Sequence, residues 1–485
     1  MSSIQINEKV LAKTAARCRE RNIIIPTFAQ QKDPTTVPAK IKRRLRDVGL
    51  WDVDPANLFR ITWKNELVDS GGGFNDGNWI EFPPELTGVD ARIIGLVGKP
   101  FPTGAHKVGA AFGCLVPRLV SGQFDPTTQK AVWPSTGNYC RGGAFDCALL
   151  ACTPVAILPE EMSDERFEWL KSIGAEVIAT PGCESNVKEI YDKCWEIRRT
   201  RPDCVIFNQF DEFGNACWHY HMTGGIIDEI FQRIAGEGDR LAAYISASGS
   251  GGTSAAGDFL RTRHPLFRMT VAEALQCPTL LQCGFGGHRI EGIGDKHVPW
   301  IHNVRNTDMI AAVDDEQCIA LMRLFNSDAG RAELTRLGVG DDTIEQLPLL
   351  GISSICNLIA AIKTAKYYEM NRRDVLFTPL TDSMDLYQSR LREQESRSGA
   401  LDATNAAAIG GRYLHGADIE HMRELGYQDR KALHNFKYFT WVEQQQRDVE
   451  DLRRLWDPEF WVETWGQVGE WDRLIEEFNQ RVGLA

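Results

Sequence analysis

The sequence predicts an α/β protein in which parallel strands alternate with helices. Three stretches carry this prediction: AVW to PVAILP (131–159), SIGAEVIAT (172–180), and RLAAYISA with the glycine-rich loop after it (240–252). Apolar runs separated by a turn and a helix at this spacing are typical of parallel winding. Ligands of such sheets bind at the carboxyl ends of the strands, so the turns there are the first places to look for a site.

The chain divides into four predicted parts. Residues 1–90 form an N-terminal extension that wraps the core, 91–230 a smaller α/β domain, and 231–395 a larger α/β domain. Residues 396–485 form a helical extension rich in tryptophan, with Pro458 placed in a first helical turn after Asp457. A tryptophan stripe at helical spacing indicates packing, and the alternatives are a subunit interface or a lid.

Lys107 is the first candidate for chemistry. The strand ARIIGLVGK (91–99) leads into a Pro-Thr-Gly turn, and small residues then favour a helix that begins near Lys107. Burial in the first turn, where the helix dipole is positive, favours the neutral amine needed to attack a carbonyl. The alternative is an ordinary solvated lysine.

Two turns are candidate anion sites. Ser135, Thr136, Gly137 and Asn138 lie between a strand and a helix and suit a carboxylate, although a plain capping turn has the same residues. The loop Gly249, Ser250, Gly251, Gly252 and Thr253 also opens a helix and suits phosphate. It lacks the lysine of an ATP-binding loop, but a dinucleotide site with Glu273 as the ribose ligand stays open.

Composition limits the partners and the compartment. The formal charge of −12 disfavours nucleic acid and anionic membranes. Thirteen cysteines without a C-x-x-C pair argue against a metal site and for a reducing compartment. The first twenty residues lack an apolar signal core, and no run of about eighteen apolar residues could span a bilayer. We therefore expect a cytoplasmic protein.

Four motifs in order resemble those of the fold-type II pyridoxal-phosphate enzymes. They are Pro-Thr-Gly-Ala-His-Lys, Ser-Thr-Gly-Asn, Gly-Ser-Gly-Gly-Thr and Gly-Ile-Ser-Ser (351–354). With HRIEGIGDKHVP (288–299), the stretch 91–395 is most similar to the cysteine synthase and cystathionine beta-synthase branch, whereas Ala-His-Lys is more similar to the tryptophan synthase beta subunit. The resemblance implies a two-domain fold with parallel sheets flanked by helices, pyridoxal 5'-phosphate as the cofactor, and a homodimer or higher homo-oligomer; from the cysteine pattern we expect no metal.

The resemblance also implies residue roles. Lys107 would form the Schiff base, Asn138 would face the phenolic oxygen, Ser353 the pyridine nitrogen, and the loop Gly249–Thr253 the phosphate, with help from His106. Ser135, Thr136, Gly137 and Gln209 would bind the substrate carboxylate. Arg141 could recognise a second acidic group, and a solvated arginine is the alternative.

These roles imply β-replacement or β-elimination on a small β-substituted amino acid through an aminoacrylate. A serine at the ring nitrogen makes the ring a weaker electron sink than an aspartate would, which suits β-chemistry better than transamination. A lyase or dehydratase that releases keto acid and ammonia is the alternative. A nicotinamide-dependent dehydrogenase and a non-catalytic scaffold are more remote readings.

Overall fold

The structure is a computed structural model that describes residues 4–66, 71–135, 137–162, 164–182, 187–294 and 296–484. Within these residues the strands form a seven-stranded and a four-stranded sheet, with helices packed against both. The predicted α/β fold with parallel sheets is confirmed.

The strands are β1 (Trp79–Phe82), β2 (Arg92–Val97), β3 (Lys130–Pro134), β4 (Thr153–Pro159), β5 (Glu176–Thr180), β6 (Cys204–Ile206), β7 (Arg240–Ala247), β8 (Arg268–Ala274), β9 (Met309–Val313), β10 (Asp374–Leu380) and β11 (Met422–Glu424). The larger sheet has the order β1-β2-β10-β7-β8-β9-β11, and the smaller has the order β5-β4-β3-β6. All pairs are parallel except β1 with β2 and β11 with β9, which lie at the two edges of the larger sheet.

The helices are α1 (Glu8–Glu20), α2 (Phe28–Lys32), α3 (Ala39–Leu45), α4 (Pro84–Thr87), α5 (Lys107–Ser121), α6 (Asn138–Leu149), α7 (Asp164–Ser172), α8 (Val187–Thr200), α9 (Phe213–Trp218), α10 (Gly224–Ile234), α11 (Ala255–Arg263), α12 (Thr279–Gln282), α13 (Asp315–Phe325), α14 (Asp328–Arg336), α15 (Asp341–Gln346), α16 (Ile352–Tyr367), α17 (Gln388–Ser398), α18 (Ala403–Gly410), α19 (Tyr427–Lys437), α20 (Val449–Arg454) and α21 (Pro458–Val482).

Two helices show how local sequence sets their ends. The turn Pro102–Gly104 precedes α5, and Gly122, with a φ of 74°, ends it in the left-handed region that glycine tolerates. Asp457 caps α21 by accepting from the Glu459 amide at 3.0 Å, and Pro458 occupies the first turn, as predicted.

Strand pairing cuts across the predicted domain boundaries, which stay predictions. β1 belongs to the predicted N-terminal extension and β2 to the predicted smaller domain, yet both pair in the larger sheet, where β2 lies beside β10. That partner is almost three hundred residues away along the chain. Local hydrophobic periodicity indicates a strand but does not identify so distant a neighbour.

The two ends of the chain pack together over α5. The ring of Phe28 lies 5.5 Å from that of Phe112 in α5 and 5.6 Å from that of Trp471 in α21. Asp472 accepts from the Phe28 amide at 2.6 Å and the Ala29 amide at 3.0 Å, which caps the start of α2. The tryptophans of the C-terminal extension thus serve packing: Trp441, Trp461, Trp465 and Trp471 are buried.

No helix in the described part of the chain is long and apolar enough to cross a membrane.

Candidate active site

Lys107 is the first residue of α5, as the sequence predicts, and its side chain is buried. Its Nζ donates to Ser250 Oγ at 3.3 Å, which joins the helix start to the glycine-rich loop. Burial lowers the pKa of the Lys107 amine from 10.5 to about 8. Because the side chain is buried, the solvated alternative is wrong, and at this pKa about a tenth of the amine is neutral at pH 7.

The glycine-rich loop Gly249–Thr253 connects β7 to α11. Gly251 has a φ of +76°, and a Cβ on Gly252 would overlap Asn215 Oδ1. Ser250 Oγ also accepts from Asn215 Nδ2 at 3.0 Å, while Thr253 Oγ1 accepts from Ser246 Oγ at 2.7 Å. The loop needs glycine because of its backbone conformation and because α9 packs closely against it.

The turn after β3 lies next to the loop after β6. Ser135 Oγ accepts from the Gly137 amide at 3.3 Å and from Gln209 Nε2 at 3.1 Å, and both side chains are buried. Asn215 Nδ2 donates to the Gln209 carbonyl at 2.9 Å. The side-chain amide of Asn215 therefore contacts both the loop after β6 and the glycine-rich loop. Thr136 lies outside the described residues.

Asn138 begins α6 and faces the end of β10. Its Nδ2 donates to Asp382 Oδ2 at 2.6 Å, and that oxygen also accepts from Tyr387 Oη at 2.7 Å. Burial raises the pKa of Asp382, although the two hydrogen bonds oppose the shift. Asn138 Oδ1 is buried and has no hydrogen-bond partner among the described residues.

His106 and Ser353 are buried on either side of this region. His106 Nε2 lies 3.2 Å from Thr381 Oγ1, and burial lowers the pKa of the imidazole well below its usual range, so the ring is neutral. Ser353 lies in the first turn of α16, and its Oγ has no partner in the part of the chain that the structure describes. A Cβ on Gly292 would lie 3.6 Å from that oxygen, so the loop from 288 faces Ser353.

Arg141 lies one turn inside α6 and is only 3% exposed, which makes the solvated alternative wrong. Its guanidinium carbon lies 4.9 Å from the ring centre of Trp169 and 5.3 Å from that of Trp51. Trp51 in turn lies beside Gly104, in the turn that leads to Lys107. Arg141 is therefore enclosed near the predicted site.

Sequence reasoning missed two residues that hold this site together, Asn215 and Asp382. Asp382 lies just after Thr381, the first residue beyond β10, and the carboxyl end of a parallel strand is a signal that could have found it. Asn215 lies inside a short helix, and its position between two loops depends on tertiary packing that no local pattern shows.

The residues present fit pyridoxal phosphate. The carboxyl ends of β3, β6, β7 and β10 lie around one region. This region contains the buried Lys107 and a glycine-rich loop at a helix start, which suits a phosphate group. Asn138 Oδ1 and Ser353 Oγ are buried polar atoms without a partner among the described residues, and such atoms are costly unless a ligand satisfies them. Within the same residues, no group of three or more His, Cys, Asp or Glu side chains could hold a metal ion.

Residues 100–332 match the family model described as "Pyridoxal-phosphate dependent enzyme". This part of the chain is similar to that family, and together with the relatives described below the match indicates a pyridoxal-phosphate-dependent enzyme. The predicted cofactor is thereby confirmed, and the dehydrogenase and scaffold readings are wrong. Glu273, the residue that suggested a dehydrogenase, accepts from the amides of Leu280 and Leu281 at 2.8 Å each and so caps α12.

The curated relatives of this chain include cysteine synthases and a cystathionine beta-synthase. A probable cysteine synthase from Bacillus subtilis is 29% identical over 266 residues, which cover 55% of this chain and 78% of that protein. Cystathionine beta-synthase from Saccharomyces cerevisiae is 24% identical over 362 residues, covering 72% of this chain and 68% of the relative. The predicted resemblance to these enzymes is confirmed.

Solved structures share the fold. The O-acetylserine-dependent cystathionine beta-synthase of Helicobacter pylori aligns with a TM-score of 0.54 at 23% identity, covering 64% of this chain and 94% of that chain. A cysteine synthase of Entamoeba histolytica aligns with a TM-score of 0.55 at 18% identity, covering 69% of this chain and 92% of the other. These alignments support the same α/β fold, with parallel sheets flanked by helices, for this protein.

Proposed function

We propose that this protein replaces or eliminates the β-substituent of a small amino acid, with pyridoxal phosphate held by Lys107. The observation that carries the proposal is the buried amine of Lys107, 3.3 Å from Ser250 of the glycine loop, in a chain that is similar to the pyridoxal-phosphate family. Relatives named cysteine synthase and cystathionine beta-synthase support chemistry at the β-carbon.

The cofactor-binding residues come from four loops. Backbone amides of Gly249–Thr253 would hold the phosphate, and the neutral ring of His106, which lies beside Thr381, would add a further donor. Asn138 would bind the phenolic oxygen and Ser353 the pyridine nitrogen, because the side chains of both have a buried oxygen without a partner among the described residues. The bound cofactor withdraws electrons from the α-carbon of the amino acid, which weakens the α-C–H bond.

The turn after β3 binds the carboxylate of the substrate. Ser135, Thr136 and Gly137 offer hydroxyls and amides, and Gln209 holds Ser135 in place by the 3.1 Å hydrogen bond. Lys107 Nζ takes the α-proton as the β-substituent leaves, because an amine with a lowered pKa acts as a base at neutral pH.

Ser353 sets the reaction type. A hydroxyl forms a hydrogen bond to the ring nitrogen but, unlike a carboxylate, does not stabilise its protonated form. Departure of the β-substituent together with the α-proton is therefore favoured over transfer of the amino group.

The test is Lys107→Ala beside Lys99→Ala. Lys99 lies eight residues upstream, is more exposed, and pairs with Asp385 at 2.7 Å, so its loss removes a nearby amine without touching the site. We expect Lys107→Ala to lose turnover and the visible absorption band of the holoenzyme, and Lys99→Ala to keep both. A Lys107→Ala protein that keeps the band and the activity would refute the assignment.

Product analysis with and without sulfide separates replacement from elimination. A cysteine-synthase-like enzyme incorporates sulfide into a new amino acid. The alternative lyase or dehydratase releases keto acid and ammonia at the same rate in both conditions.

We further propose a homodimer, which light scattering of the purified holoenzyme tests directly. A cytoplasmic location is supported by the twelve described cysteines, which are all free thiols, as expected in a reducing compartment.

A further inference from the structure

We propose that the substrate carries an anionic group on its side chain, a carboxylate or a phosphate, and that Arg141 and Arg166 bind this group beside the turn after β3. The inference rests on the proposed function, because it names the class of amino acid that the same site takes. It depends on two buried guanidinium groups beside that turn, of which that of Arg141 has N–H groups without an acceptor among the described residues.

Arg141 is the residue with missing acceptors. Its Nε and Nη1 are buried and have no hydrogen-bond partner among the described residues. The rings of Trp51 and Trp169 flank the guanidinium at 5.3 and 4.9 Å and stabilise its charge, but an aromatic face does not replace an oxygen acceptor for each N–H. Burial and the nearby charge of Arg166 lower the pKa of Arg141 to about 10, so the group remains charged at neutral pH.

Arg166 brings a second guanidinium to the same place. It is fully buried in α7, and a Cβ on Gly137 would overlap its Nη1, so the group lies against the backbone of the turn after β3. Its Nη2 donates to Tyr387 Oη at 3.1 Å, and its Nη1 lies 3.2 Å from Glu291 Oε2. The contact with Gly137 places this charge next to the proposed substrate carboxylate.

The carboxylates nearby do not offset all of this positive charge. Glu291 is shared, because Arg390 Nε also donates to it at 2.6 Å. Asp382 already accepts from Asn138 and Tyr387, and burial raises its pKa, which favours the neutral form. Arg141 is therefore a buried cation without a carboxylate within hydrogen-bonding distance in the described part of the chain.

A second anionic group on the substrate would supply acceptors for the unpartnered N–H groups of Arg141. It would also offset the positive charge that the nearby carboxylates leave. Carboxylate and phosphate oxygens accept the paired N–H donors of a guanidinium in two parallel hydrogen bonds, and the bonds are stronger in a buried site. A neutral ester or hydroxyl side chain leaves Arg141 buried and unsatisfied, which costs binding energy. Against a net charge of −12, this local positive charge selects acidic amino acids.

The test compares L-aspartate with L-asparagine, which have the same shape and differ in one charge. Their binding to the holoenzyme is measured by calorimetry, with O-phospho-L-serine as the phosphate-bearing probe. We expect wild type to bind the anionic amino acids roughly tenfold to a hundredfold more tightly than asparagine. The order of aspartate and phosphoserine shows whether carboxylate or phosphate fits better.

Arg141→Met removes the charge and keeps a long side chain that packs between two aromatic rings. We expect the variant to lose the preference for aspartate, and to melt in the ligand-free holoenzyme at the same or a higher temperature than wild type. A merely structural arginine predicts the opposite, a lower melting temperature with an unchanged preference. Arg289→Met is the matched control, because Arg289 pairs with Asp315 and Glu316 at 2.6 Å each and its loss leaves the preference intact.

Each outcome has a definite meaning. Equal affinity of wild type for aspartate and asparagine, or an equal loss in Arg289→Met, overturns the inference and leaves the proposed β-chemistry standing. Inorganic phosphate that binds through Arg141 without competing with aspartate also overturns it, since the anion site would then lie apart from the substrate. If the preference for aspartate depends on Arg141 but phosphoserine gives no product, the anion site is supported. The absence of product then counts against the proposed function.

Discussion

Replacement of Lys107 by methionine should stabilise the cofactor-free protein at neutral pH. The amine has its pKa lowered from 10.5 to about 8 by burial, so the folded state binds fewer protons than the unfolded state between these values. Stability from this group is therefore fully present above pH 10.5, falls as the pH decreases, and is lost below about pH 8. Relative to an uncharged side chain, Lys107 lowers the free energy of unfolding by about 3 kcal/mol at pH 7 and by about 1 kcal/mol at pH 9.5.

The measurement is urea unfolding of the cofactor-free wild type and Lys107→Met at both pH values. We expect the free energy of unfolding of the variant to exceed that of wild type by up to about 3 kcal/mol at pH 7. At pH 9.5 this difference should be smaller by about 2 kcal/mol. Lys99→Met is the control, and its difference from wild type should not change with pH in this way. A gap that is the same at both pH values would refute the argument from burial.

The same shift has a kinetic consequence for cofactor uptake. A pKa of about 8 instead of 10.5 raises the neutral fraction of the Lys107 amine at pH 7 roughly 300-fold. The rate at which added pyridoxal phosphate develops its visible band should therefore level off above pH 8. A rate that keeps rising tenfold per pH unit to pH 10 would indicate an ordinary lysine.

Three further changes test the cofactor site. Gly252→Ala adds a methyl group that overlaps Asn215, so we expect at least about tenfold weaker binding of pyridoxal phosphate by fluorescence titration, while Gly469→Ala, in open space, should bind as wild type does. Ser353→Asp should produce some pyridoxamine phosphate, detectable by chromatography, because a carboxylate favours the protonated ring; its absence would count against the role of Ser353. Trp441→Phe removes a 2.8 Å hydrogen bond to the Val298 carbonyl and should lower the free energy of unfolding by about 1 to 3 kcal/mol in urea, and an unchanged value would contradict the packing role.

The sequence predicts the parts of this site that depend on local chemistry. Lys107 begins its helix because a Pro-Thr-Gly turn does not continue one, and Gly249–Thr253 forms a loop because glycine tolerates its backbone conformation. Both features are encoded within a few residues. The positions of Lys107, the glycine loop and the turn after β3 at the carboxyl ends of strands follow from the α/β alternation.

Features that depend on distant pairing were not predictable. Asp382 contacts Asn138 although they are 244 residues apart, and Arg166 reaches the turn after β3 from α7, which follows β4. The same holds for β2, whose place in the larger sheet depends on hydrogen bonds to β10. Periodicity gives the type of an element and the face it buries, whereas its neighbour is set by the global packing of the chain.

The contact of α21 with α5 has a consequence for the order of folding. Phe112, on the helix that Lys107 begins, packs on Phe28, and Phe28 packs on Trp471, which lies far later in the chain. A folding intermediate that has formed both sheets but has not yet docked α21 still exposes this apolar face. The helix of the candidate active site therefore acquires its full cover only after α21 has docked, so a change that loosens α21 also loosens the helix that carries Lys107.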